Sequence, residues 1–128
     1  MTYKPDGYPA AIPYLILPNA AEAIDFLKQA FDAEEIRRFN MPDSERIMHA
    51  EVRIGDGVLM IADANEKWPP IGAHVYLYLP DVDAAYARAL AAGAESLGEP
   101  VQKDDEDKRG GVKDASGTTW WISTRMAS

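Results

Sequence analysis

The chain has 128 residues, 47% of them hydrophobic and 27% charged, enough for one ordinary globular core that removes roughly two-thirds of the unfolded surface from water. Thirteen basic against 21 acidic side chains leave a formal charge of −8, which argues against nucleic acid as a partner because displacing phosphate counterions needs a basic footprint. Cysteine is absent, so disulfides, zinc thiolates, iron–sulfur clusters and thiol nucleophiles are excluded together, and a reducing cytoplasm is a compatible home.

The first seven residues lack the apolar core of a signal peptide, and no apolar run approaches the length that spans a bilayer. The expectation is a cytoplasmic protein with no membrane partner. Residues 14–19, Tyr-Leu-Ile-Leu-Pro-Asn, read as a strand running into a helix; Asn19 with Glu22 three residues on resembles a capping box. Ala20, Ile24, Leu27 and Phe31 form an apolar stripe at helical spacing. Asp32 stands where the helix stops, and three strand-like runs follow at Glu34–Phe39, Arg46–Ile54 and Val58–Asp63. Residues 64–71, with Pro69 and Pro70, read as a linker.

The same order then repeats. Residues 76–81, Tyr-Leu-Tyr-Leu-Pro-Asp, match 14–19 at an offset of 62, and Gly57–Ile61 matches Gly117–Trp121 at an offset of 60. Asp81 caps a second helix with Val82, Tyr86 and Ala89/Leu90 on its packed face, Gly93 stops it, and strands follow at Glu95–Pro100, Arg109–Lys113 and Thr118–Thr124. The charged run 103–109 reads as a solvated loop, with a lid over a cleft as the alternative, and Gly55-Asp56-Gly57 and Gly110-Gly111 read as turns. The unit is βαβββ used twice, in one domain over 1–128: module 1 at 10–63, linker 64–71, module 2 at 72–124.

Paired modules with these sequences resemble the vicinal oxygen chelate superfamily, the glyoxalase, bleomycin resistance protein and dioxygenase type, over residues 10–124. Residues 13–17, 48–56 and 114–120 look like its PhnB-like branch. The resemblance implies an α+β fold in which the two modules form a cupped mixed sheet with helices on its outer face, a cleft, and a homodimer.

Strand alternation assigns the faces. Leu15 and Leu17 belong under the first helix, and Ile12, Tyr14 and Ile16 point inward; Val75, Leu77 and Leu79 meet the second helix, leaving His74, Tyr76 and Tyr78 in the cup. Over Arg46–Ile54, Met48, Ala50, Val52 and Ile54 form the packed set, with His49, Glu51 and Arg53 opposite. Trp120 points to the helix layer and Trp121 to the cup. Tyr14, Arg53, His74, Tyr76, Tyr78 and Trp121 are therefore candidate ligand-binding residues, as an aromatic wall with a few polar groups suits a small-molecule pocket; closed core and oligomer contact are the alternatives. His49 and Glu51, two apart on one strand, are candidate catalytic residues as an acid/base pair, the alternative being a polar ladder on a solvated face.

In the metal-dependent members of the superfamily, His and Glu ligands come from the first and last strands of each module. The resemblance carries those positions to Ile12, Ile61, His74 and Trp121, of which only His74 offers a metal ligand. No cofactor is expected, and a divalent metal is not favoured. The favoured function is metal-free sequestration of a small planar or cationic compound in the aromatic cleft. The alternative is a glyoxalase-like lyase or isomerase using His49 or Glu51 as base, or a metal enzyme with a displaced His49/Glu51/His74 site.

Overall fold

A computed structural model describes residues 3–126. Its first module runs β1 (Tyr14–Leu17), α1 (Ala20–Phe31), β2 (Glu34–Asn40), β3 (Ile47–Ile54), β4 (Gly57–Asp63). The second runs β5 (His74–Tyr78), α2 (Val82–Ala91), β6 (Glu95–Gln102), β7 (Asp107–Lys113), β8 (Thr119–Arg125). Local chemistry starts and stops the helices. Asn19 Oδ1 accepts the Glu22 amide at 3.2 Å and Asp81 Oδ1 accepts the Ala84 amide at 3.1 Å, each filling a donor that the first turn leaves free. At the far end of α1, Asp32 takes the left-handed conformation (φ 56°) that glycine more often supplies; after α2, Gly93 supplies it (φ 106°).

The fold is α+β, two βαβββ modules with a mixed sheet each. Strand orders are β1-β4-β3-β2 and β5-β8-β7-β6, with β1 parallel to β4, β5 parallel to β8, and the remaining pairs antiparallel. No ladder joins the two sheets among the described residues. What joins the modules is one core. Leu15, Ile24, Leu27, Val52 and Ile61 cluster with Val82, Val112, Trp120 and Ile122, the Phe31 ring of α1 meets Trp120 of β8 at 5.3 Å, and Arg88 of α2 donates to the Ala30 carbonyl at 3.2 Å. The helices thus lie between the packed faces of the sheets. The opposite face of each sheet points away from that core and is open, save where the N-terminal segment lies over Glu51 and Arg53 of the first.

Several local readings are corrected. Met48 is not in the core: pairing slips so that Phe39 faces His49 but Asn40 faces Ile47, and this bulge puts Ile47 inside and Met48 on the surface. Leu90 lies at the edge of the packed face of α2 and is exposed. Gly110 and Gly111 are not a turn but the middle of β7. Asp107, read as part of a solvated loop, opens β7 and is buried.

The repeat in the last strand is offset by 61, not 60. Tyr14 pairs with Met60 and Tyr76 with Trp121, so Met60 is the counterpart of Trp121, and Ile61 is the counterpart of Ile122 in the core. The cause is turn length. Ile54 pairs with Gly57 across the β3–β4 turn, whereas the Asp114 amide bonds to the Thr118 carbonyl across a β7–β8 turn one residue longer.

Candidate functional site

The open face of the second sheet is aromatic. Trp121 and His74 lie on neighbouring strands as near-parallel rings, 14° apart in plane with centroids 6.0 Å apart, and the indole N–H donates to His74 Nδ1 at 3.1 Å. The indole rests on β7. A Cβ added at Gly111 would stand 2.7 Å from Trp121 Cζ3, closer than a carbon can approach, so the absence of a side chain is what lets the ring lie there. Arg109, Gly110, Gly111 and Trp121 line a cavity of about 490 Å³ together with Leu97, Gly98, Glu99 and Val101 of the neighbouring β6 and Lys103 just beyond it.

Beside it, Tyr76 and Tyr78 both donate to Asp107 Oδ2, at 2.5 and 2.8 Å, while Arg109 donates to the Tyr76 hydroxyl at 2.9 Å and lies over its ring. Those two hydroxyl bonds hold the Asp107 carboxyl below its usual range, against the opposing effect of desolvation. The same bond to Asp107, with desolvation and the carboxylate's charge, pushes Tyr78 up to about 12. Asp107 Oδ1 is buried without a hydrogen-bond partner among the described residues. Asp107 and Arg109 were hidden in a run of charged residues whose composition alone signals only exposure.

The open face of the first sheet is a chain of titratable groups. Tyr8 donates to Glu51 Oε1 at 2.5 Å, His49 Nε2 lies 2.8 Å from Glu51 Oε2, and His49 Nδ1 lies 2.8 Å from the Tyr14 hydroxyl. Burial alone would raise the Glu51 carboxyl, but the Tyr8 and His49 bonds and the Arg37 charge 3.6 Å away outweigh it and hold the group below its usual range. Tyr14 is raised by burial and then by the Glu51 charge. Arg53 serves the N-terminal segment instead: it donates to the Gly7 carbonyl at 3.0 Å and lies over the Tyr8 ring. Sequence reasoning missed Tyr8, since nothing in an isolated Pro/Gly-rich segment points to the carboxylate that it covers.

The candidate residues therefore form two groups, not the single cavity expected of one chain. Tyr14, His49, Glu51 and Arg53 lie on one open face; His74, Tyr76, Tyr78 and Trp121 lie on the other, across the core. A joint His49/Glu51/His74 metal site is not assembled within the chain. Nor do the superfamily's ligand positions, now Ile12, Met60, His74 and Trp121, fit a hard divalent ion. Ile12 and Met60, an alkyl group and a thioether, belong to the first sheet's face; on the other face the one imidazole already accepts an indole N–H at Nδ1. No group of three or more His, Asp or Glu side chains with metal-binding geometry occurs among the described residues, and no helix there is long and apolar enough to cross a membrane.

Comparison with known proteins gives a consistent result. Residues 11–122 match the family model of the Glyoxalase/Bleomycin resistance protein/Dioxygenase superfamily. An uncharacterized protein of Mycobacterium bovis is 34% identical over 123 residues, 88% of this chain and 80% of that one. Among solved structures, TioX from Micromonospora sp. ML1 superposes with a TM-score of 0.74 at 22% identity, covering 91% of this chain and all of that one. TnmS3, an antibiotic binding protein from Streptomyces sp. CB03234, superposes with a TM-score of 0.68 at 17% identity, covering 91% and 97%. At those identities the two structures show a shared fold.

Proposed function

The chain belongs to the glyoxalase/bleomycin resistance protein/dioxygenase superfamily, and from that premise we propose that it is a PhnB-like, metal-free, cytoplasmic protein that sequesters a small planar or cationic compound. The observation that carries this reading is the Trp121 platform. An indole held flat over a side-chain-free strand, aligned with His74 and opening on a cavity of about 490 Å³, offers a planar ligand a stacking surface at no rearrangement cost. The net charge of −8 favours approach of a cation, while Arg109 and Lys103 against Glu99 at the cavity itself leave selection there to stacking. TnmS3, which shares the fold, is an antibiotic binding protein, and the proposal brings that class of activity to this chain.

Calorimetric titration with acridinium and phenanthridinium dyes tests it. Saturable binding is expected, weakened by Trp121→Ala by on the order of 1–3 kcal/mol, the usual worth of a buried aromatic anchor. Equal affinity of the variant, or no binding of any planar compound, overturns the reading.

A further inference from the structure

The open face of the first sheet carries an arrangement that the stacking platform does not use. Because an ionised carboxylate only accepts hydrogen bonds, His49 Nε2 carries the proton in its 2.8 Å bond to Glu51. In the tautomer that this bond selects, Nδ1 is the acceptor, and Tyr14 donates to it across 2.8 Å. That leaves the lone pairs of Tyr14 Oη for one further donor. Tyr14 is also a wall of a cavity of about 560 Å³, whose apolar lining includes Ile16, Met41, Met48 and Trp68.

We infer that this pocket takes a small planar molecule bearing one weakly acidic hydroxyl, a phenol or enol, and draws that hydroxyl's proton into the Tyr14–His49–Glu51 chain. The apolar body lies against Met41 and Met48, whose flexible side chains adapt to an irregular ligand, and against the flat indole of Trp68. In the transfer, the ligand's O–H bond breaks as its proton passes to Tyr14 Oη, and the Tyr14 O–H bond breaks as its proton passes to His49 Nδ1. One O–H and one N–H bond form, nothing is oxidised or reduced, and the ligand remains as an oxyanion facing an imidazolium held by Glu51. The geometry survives the transfer because an imidazolium donates from both nitrogens. Tyr14, whose phenol resists ionisation through its burial and the nearby Glu51 charge, passes a proton on and does not store the negative charge. The other charged or titratable groups facing the chain or its pocket are Tyr8 from the N-terminal segment, Arg37 from β2, Arg53 from β3, and Asp63 from β4, whose two oxygens are taken up by the Ala20 and Ile47 amides. None of them takes the place of His49 at Tyr14.

This site does not depend on the Trp121 platform, and the test separates the two. The probe is para-nitrophenol, whose colour distinguishes phenol from phenolate, in buffer below its own pKa. The wild-type protein is expected to give a saturable rise in the phenolate band. Tyr14→Phe and His49→Gln are expected to bind the probe within about threefold of wild type, losing only one hydrogen bond, yet to leave it protonated. Trp68→Ala should weaken binding about tenfold without changing the ionised fraction at saturation, and the phenolate band should persist in the Trp121→Ala background, where the platform can no longer take up the planar probe. A probe that stays protonated on the wild-type protein, a phenolate fraction unchanged in both chain variants, or a phenolate band that is lost in Trp121→Ala and unaffected in Trp68→Ala overturns the proposal.

Discussion

Trp120 and Trp121 are adjacent in sequence and opposite in consequence. The first is 1% exposed, touches Phe31 and donates its indole N–H to Asp114 Oδ2 at 2.7 Å; the second lies on an open face. Trp120→Ala should cost about 3–5 kcal/mol of stability, as a large cavity and an unpaired Asp114 oxygen would remain, whereas Trp121→Ala should leave the denaturant midpoint nearly unchanged. Equal midpoints for the two variants would count against this assignment of faces. Glu51 makes a pH-dependent contribution whose sign follows from its lowered pKa. The folded state prefers the ionised carboxylate more than the unfolded chain does, so the stabilisation is fully present above the ordinary glutamate pKa and is lost as pH falls through the folded value. The stability gap between wild type and Glu51→Gln should therefore be widest near neutrality and shrink in acid, as read from denaturant midpoints across pH. A gap that grows on acidification would contradict the geometry around that carboxylate.

At the scale of elements, β7 decides what the second open face can do. Gly111→Ala places a carbon where the Trp121 ring now lies, so the indole must tilt away; ligand stacking should weaken about as much as in Trp121→Ala while the fold persists, which calorimetry alongside circular dichroism would check. The strands and helices themselves were legible. Period-two alternation in β1 and β5 and capping residues at Asn19 and Asp81 are local signals, and the elements they mark form as expected. What alternation could not reveal is a break in its own period. The bulge that turns Met48 outward leaves no trace in composition, and a glycine pair that normally marks a turn serves here as the flat bed of an aromatic ring. Asp107 was illegible for a related reason: its burial is imposed by two tyrosines from a strand about thirty residues earlier, a long-range cause.

For the molecule as a whole, the two modules pack back to back through their helices and leave two aromatic faces directed outward. Tyr14, Met48, Tyr76, Tyr78, Leu97 and Val101 are all exposed there. Apolar surface of this extent on both faces is the reason to expect a homodimer, in which an open face of one protomer is covered by its partner. Light scattering at micromolar concentration should report twice the mass of the chain, and a monomer under those conditions would remove the expectation.

The strand pairings carry one more consequence. Glu51 pairs with Met60, and Gly111 pairs with Trp121; since Met60 and Trp121 are counterparts, so are Glu51 and Gly111, and two residues earlier so are His49 and Arg109. Both of the latter hydrogen-bond the hydroxyl of the equivalent tyrosine, Tyr14 or Tyr76. Such a correspondence is what duplication of a half-length ancestor leaves behind. The two copies differ most plainly at one pair of facing positions, where one carries a carboxylate beside a thioether and the other an empty space beneath an indole.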